Sequence, residues 1–289
     1  MRTPLPPFKP LPLKPPAVDV QRRADGSILL RSRHAPGPSP RSIAHLLQER
    51  AAQHPDRPWM KQRAPGHGPW RSVTYGAALA AAESIAQWLM NQGLSAADSV
   101  MVLSANSIEH ALMTLGCYTA GVPIAPISPA TSLLSTDYAR LRHCAAVVQP
   151  RVVFAQAGAP FARAVQVLRD AHPGLVLVTV DGEGDGAVPF SDLLATRPTA
   201  AVAAARDALG PATVAKVLFT SGSTGLPKGV PQTFGMMSAT IAGQEGLRAE
   251  PPEPGLVPQS LEWMPWSHIS AGNIGFNGVL WNGGTVHLC

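Results

Sequence analysis

Cysteine is scarce in this chain. Cys117, Cys144 and Cys289 are its 3 cysteines, far apart and without Cys-x-x-Cys spacing. That pattern gives no support to a disulfide framework or a thiolate zinc site. Cys117 and Cys144 lie inside apolar segments, where cysteine behaves as a small core residue, so a reducing, cytoplasmic location is expected. Long apolar runs are missing as well. No stretch reaches the ~18–20 residues that a bilayer span needs. Prolines interrupt the opening Met1 to Lys9, where a secretory signal requires a continuous apolar centre. Charge is sparse, at 14% of residues and a net +5. The densest basic stretch (Arg22, Arg23, Arg31, Arg33, Arg41) has no interleaved aromatics, so it reads as a solvated arm and not as a nucleic-acid surface. Asp181 to Gly186 is acidic and glycine-rich but lacks the spacing and terminal glutamate of a calcium loop; a surface turn is expected there. No internal repeat is apparent.

What is present is apolar content of 45% in 289 residues, enough for a substantial core in a globular protein. Residues 1 to 40 are rich in proline and arginine and read as an extended lead-in, with a short hairpin around Ala24-Asp25-Gly26. From residue 41 to 289 the reading is one domain. Ile43, Leu46, Leu47 and Ala51 keep helical spacing up to Pro55-Asp56-Arg57-Pro58. Thr74 is placed to cap a second helix that runs to Gly93. Strand-like and helix-like segments then alternate. Strands are expected at Val100–Leu103, Val122–Ile127, Val152–Phe154, Leu175–Val180 and Val214–Phe219. Helices are expected at Ser107–Ala120, Tyr138–Val147, Phe161–Ala171 and, on the surface, Thr199–Ala208. Such alternation predicts an α/β fold with mostly parallel sheets flanked by helices.

Immediately after Phe219 comes the most informative stretch, Thr220-Ser221-Gly222-Ser223-Thr224-Gly225-Leu226-Pro227-Lys228-Gly229. Glycines let backbone N–H groups close on an anion. The hydroxyls add donors and Lys228 adds a mobile positive charge. Behind a strand, this is a polyphosphate cradle suited to ATP. It is not a Walker A sequence, which needs glycine before the lysine and a hydroxyl residue after it; here Pro227 and Gly229 flank the lysine. About forty residues later, Leu261 to His268 reads as a strand running into a turn, with a helix opening near Ala271 and ending near Gly283. A histidine at the carboxyl end of a strand in an open α/β sheet faces the crevice where ligands bind.

The loop and the Trp263-Met264-Pro265-Trp266-Ser267-His268 run together resemble the AMP-forming acyl-adenylating family, which includes acyl-CoA synthetases, aryl-CoA ligases, luciferases and adenylation domains of peptide synthetases. Segments at 22–26, 104–111, 123–130 and 281–285 are most similar to feruloyl-CoA synthases. The resemblance implies an acid–thiol ligase that uses ATP, Mg²⁺ and coenzyme A to activate a small aromatic carboxylic acid such as ferulate. It implies that Thr220, Ser221, Gly222, Ser223, Thr224, Gly225 and Lys228 hold the nucleotide phosphates, with Thr224 offering its hydroxyl to the metal. It assigns Lys228 and His268 to catalysis, and Trp266, His268, Gly272 and Phe276 to the acyl pocket. A fatty acyl-CoA or amino-acid-adenylating relative, a non-catalytic remnant, and a half completed by a partner chain remain alternatives. The family's downstream motifs and its C-terminal lysine domain are expected beyond Cys289, so the chain is read as the front half of such a ligase, inactive alone.

Overall fold

The computed structural model describes residues 12–64, 68–220 and 225–288, which fall into two compact units. The smaller comprises Met1–Ser39 and Ala239–Leu256. Its described part holds an antiparallel hairpin, β1 (Val18–Arg22) and β2 (Ile28–Ser32), turned at Gly26 where φ is +85°. The hairpin stands where the sequence suggests one. Backbone hydrogen bonds from Lys14 to Leu247 (2.8 Å), Gly37 to Ala242 (2.7 Å) and Ala249 to Pro12 (2.9 Å) tie the two segments together.

The larger unit, Pro40–Ser238 with Val257–Cys289, opens with α1 (Ile43–Gln53), capped by Ser42 Oγ, which accepts from His45 N. A hairpin, β3 (Pro58–Arg63) and β4 (Trp70–Thr74), leads into α2 (Tyr75–Asn91), and Thr74 caps that helix as expected, its Oγ1 accepting from Ala77 N at 3.2 Å. The alternation then unfolds as β5 (Val100–Leu103), α3 (Ile108–Ala120), β6 (Ile124–Ile127), α4 (Pro129–Leu133), α5 (Ala139–Val148), β7 (Val152–Ala155), α6 (Gly158–Ala171), β8 (Val176–Thr179) and β9 (Val188–Pro189). Two helices, α7 (Phe190–Ala195) and α8 (Ala200–Ala208), precede β10 (Val214–Thr220), β11 (Lys228–Thr233) and α9 (Phe234–Leu247). The last described elements are β12 (Gln259–Glu262), a π turn (Ser270–Gly275), α10 (Phe276–Trp281) and β13 (Thr285–Leu288).

The strands form a seven-stranded sheet in the order β11-β10-β6-β5-β7-β8-β9 and a four-stranded one in the order β12-β13-β3-β4. Every neighbouring pair is parallel except β10 with β11 and β3 with β4. This is the expected α/β architecture. The inner strands of the large sheet, β5, β6 and β7, are wholly apolar and buried because both faces are covered. Met101, Leu103, Val153 and Ala155 point to a core shared with Leu141 and Cys144 of α5 and Phe161 and Leu168 of α6. The alternate residues face the other way; Phe154 there meets Phe190 edge-on at 5.5 Å.

A surface turn and a surface helix form where the sequence expects them, and each has an added anchor. The Asp181 turn is a cap as well as a surface turn: its carboxylate accepts from Gly158 N (3.0 Å) at the start of α6 and from Glu183 N (3.1 Å). The Thr199–Ala208 helix is anchored inward, with Val202 and Arg206 buried and Arg206 Nη1 paired to Glu83 Oε1 at 2.7 Å.

Candidate functional site

β10 and β11 pair antiparallel, and the phosphate-loop sequence runs from the end of the one into the start of the other. Thr220 stands directly opposite Lys228, Phe219 opposite Gly229 and Leu218 opposite Val230. The ladder thus brings the first hydroxyl and the lysine of the motif side by side, both exposed. Ser221, Gly222, Ser223 and Thr224 lie outside the described residues. The returning strand approaches α5 closely. A Cβ on Gly229 would come within 2.9 Å of Val147 Cγ1, so any larger residue requires that side chain to shift. On the same side, His143 Nε2 hydrogen-bonds the Pro227 carbonyl at 2.8 Å, which fastens the descending end of the loop to α5.

A cavity of about 1200 Å³ opens beside this strand pair. It lies at the carboxyl ends of β6 and β10, where open α/β sheets bind ligands. Thr220, Gly225, Leu226 and Pro227 form one wall, and Ser267, His268 and Ile269 another. Asp137 and Arg140 at the start of α5 bring one charge of each sign to the lining. His268 is exposed, and its Nδ1 accepts from Ser270 N at 3.2 Å, which orients the ring.

Trp266, Gly272 and Phe276 lie behind this wall, buried and outside the cavity lining. Trp266 meets His110 edge-on at 5.1 Å and Phe276 at 5.2 Å, and Phe276 in turn meets Trp59 at 5.6 Å. They back the segment that presents His268. Gly272 is required by crowding: a Cβ there would sit 2.2 Å from the Trp266 carbonyl oxygen. The structure therefore brings Thr220, Gly225 and His268 to one cavity, sets Lys228 beside Thr220 at its edge, and places the other three in the support.

Three supporting residues escape a reading by motif. Asn106, just after β5, grips the strand exit at two points, donating from Nδ2 to Met264 O (2.8 Å) and accepting at Oδ1 from Trp266 N (3.0 Å). The 104–111 segment that contains it reads in sequence as packing and turn, and no local signal marks an amide that reaches across the fold. His110 is fully buried; burial, aided by the nearby Lys216, lowers its pKa to about 4, so the ring is neutral near pH 7. Its Nδ1 then donates to Ala105 O at 3.1 Å. Lys216, within an otherwise apolar strand, could have been noticed as the one charged residue of β10.

Among the described residues no group of three or more histidine, cysteine or acidic side chains could hold a metal ion. A magnesium ion carried in with nucleotide needs no such cage, because substrate phosphates and water supply most of its ligands. Nor, among the described residues, is any helix long and apolar enough to cross a membrane.

A family model described as "AMP-binding enzyme" matches residues 47–289. Rice (Oryza sativa subsp. japonica) 4-coumarate–CoA ligase 3 is 32% identical over 182 residues, which cover 60% of this chain and 29% of that protein. Among solved structures, ATP-bound MatB from Rhodopseudomonas palustris superposes with a TM-score of 0.66 at 20% identity, over 85% of this chain and 45% of that one. A fatty acyl-adenylate ligase from L. pneumophila, solved with acyl adenylate and pyrophosphate, gives a TM-score of 0.64 at 18% identity, over 86% and 39%. At these identities the structural likeness establishes the fold. The chain spans less than half the length of each of these relatives.

Proposed function

The chain belongs to the AMP-binding enzyme family, and on that premise we propose that it is the phosphate-binding and acid-binding part of an ATP-dependent acid–thiol ligase acting on a small aromatic acid. The observation that carries this reading is the pairing of Thr220 with Lys228 at the edge of a cavity that His268 also lines.

In the first half-reaction the acid's carboxylate attacks the α-phosphorus of ATP in line with the leaving pyrophosphate. Two anions must be held together and the charge on the leaving group offset. The loop from Thr220 to Gly225 supplies backbone and hydroxyl donors to the β- and γ-phosphates, and Lys228 is the counter-charge. Thr224 would offer its hydroxyl to magnesium carried in with the nucleotide, and that cation would offset phosphate charge. His268 borders the acid and gates its access between adenylation and transfer to the coenzyme A thiol. Trp266, Gly272 and Phe276 act by holding that wall in place. The kinship with a coumarate ligase supports an aromatic acid.

A second reading has its own support. Leu134, Leu226 and Ile269 line the cavity and are exposed, which suits an aliphatic acyl chain. ATP–pyrophosphate exchange by the full-length protein with ferulate, a medium-chain fatty acid and an amino acid in parallel separates the readings. Stimulation by ferulate alone is expected; stimulation by the fatty acid alone assigns the aliphatic substrate, and no stimulation by any acid makes the chain a non-catalytic relative. In the active protein Lys228→Ala is expected to slow exchange about 100-fold with little change in the KM for the acid. Unchanged kinetics would remove the lysine from this role.

A further inference from the structure

The segment that presents His268 is fastened to both strands flanking the phosphate loop. Gly272 donates its N–H to the His268 carbonyl at 2.8 Å, and its own carbonyl accepts from Lys216 Nζ at 2.8 Å. The next residue, Asn273, donates from Nδ2 to Gln232 Oε1 at 3.2 Å. Lys216 belongs to β10 and Gln232 to β11, so one π turn is hydrogen-bonded to each arm of the hairpin, accepting from one and donating to the other.

Lysine is an unusual residue for this place. Lys216 is 2% exposed and forms no ion pair among the described residues. Its ammonium lies 5.7 Å from the Tyr118 ring centre and 6.0 Å from that of Phe276, with the buried His110 nearby. Burial pushes its pKa down to about 7. Methionine would fill such an aromatic-lined space without the cost of burying an unpaired cation. What methionine lacks is a donor for the Gly272 carbonyl. The turn it holds is itself a rare form, π rather than α, of the kind concentrated at functional sites. It also leaves Asn273 Oδ1 and Trp266 Nε1 buried without partners among the described residues. A segment with so little hydrogen bonding of its own to spare depends on its external fastenings.

We propose that Lys216 is a positioning residue: by holding the Gly272 carbonyl it locks the π turn to β10 and so sets where His268 stands relative to the phosphate loop. Its effect on turnover rests on the adenylation reading above; its effect on the turn does not.

The test compares Lys216→Met, which removes the donor, with Lys216→Gln, which removes the charge but keeps an amide donor, in the full-length protein. Hydrogen exchange is read first, without substrate. Lys216→Met is expected to speed exchange across 264–275 about tenfold while 108–120 stays at the wild-type rate, and Lys216→Gln is expected to stay near wild type in both. Steady-state adenylation follows: Lys216→Met should raise the KM for the acid about tenfold and leave the KM for ATP within about twofold, with rescue by Lys216→Gln. Wild-type exchange at 264–275 in Lys216→Met overturns the proposal, as does equal loosening of 264–275 and 108–120, which would mark general destabilisation. If the wild-type protein activates no acid, the adenylation reading fails and the hydrogen-exchange comparison still decides the role of Lys216.

Discussion

Helices α3 and α5 are close in length, 13 and 10 residues, and both belong to the large unit, yet they are built on opposite terms. α3 buries 12 of its residues; Ser107 caps its start by accepting from His110 N at 3.0 Å, and Gly121 at φ +70° closes its end. α5 buries only Leu141, Cys144 and Ala145, and has non-glycine residues in the left-handed region at both ends, Tyr138 at φ +52° and Gln149 at φ +44°. α3 carries His110 behind the site; α5 carries Arg140 on the cavity lining and His143 against the loop. Hydrogen-bonded caps close the buried helix, and left-handed non-glycine residues flank the helix that lines the cavity.

The largest expected effect breaks the framework side by acid. The His110 pKa is near 6.5 when unfolded and about 4 when folded. The unfolded chain therefore binds more protons between those values, so the contribution is complete above pH 6.5 and lost as pH falls toward 4. The loss is on the order of 3 kcal/mol. Denaturant melts from pH 7 to 4 check it, and His110→Gln should flatten the dependence. Next, Asn106→Leu leaves Met264 O and Trp266 N without their partner and should lower stability by about 2 kcal/mol in thermal denaturation. A change below about 0.5 kcal/mol would show that the clamp contributes nothing. The smallest effect is opposite in sign and lies on α5: Gln149→Gly relieves the left-handed strain and should stabilise by about 0.5–1 kcal/mol. A loss of stability there would mean that the two helices do not differ in the way described.

Much of the fold was legible because local chemistry agrees with it. The Thr74 cap, the helix that follows Ser107 and the apolar β5, β7 and β10 segments all form where composition places them. β11 was not legible, since Lys228 to Thr233 contains glycine, proline and glutamine and owes its extended form to pairing with β10. The β3–β4 hairpin was missed for the same reason: β3 gains its second neighbour from β13, more than two hundred residues later. At the site, the phosphate-loop string and His268 are contiguous motifs and could be read directly. The clamp by Asn106 and the Lys216 to Gly272 bond join residues 158 and 56 positions apart, and no local pattern encodes such reach.

The strand order of the large sheet carries a consequence for synthesis on the ribosome. β5 emerges first and lies at the centre; β6 adds to one side of it, β7, β8 and β9 extend the other in turn, and β10 and β11 complete the first side. Each new strand meets an edge that already exists, and no pair has to open to admit it. The four-stranded sheet is different, since β13 must slot between β3 and the earlier-made β12. Assembly can thus run outward from a seed in the first sheet, with the phosphate hairpin arriving last on a finished template, while the second sheet waits for residues 285–288 to leave the exit tunnel.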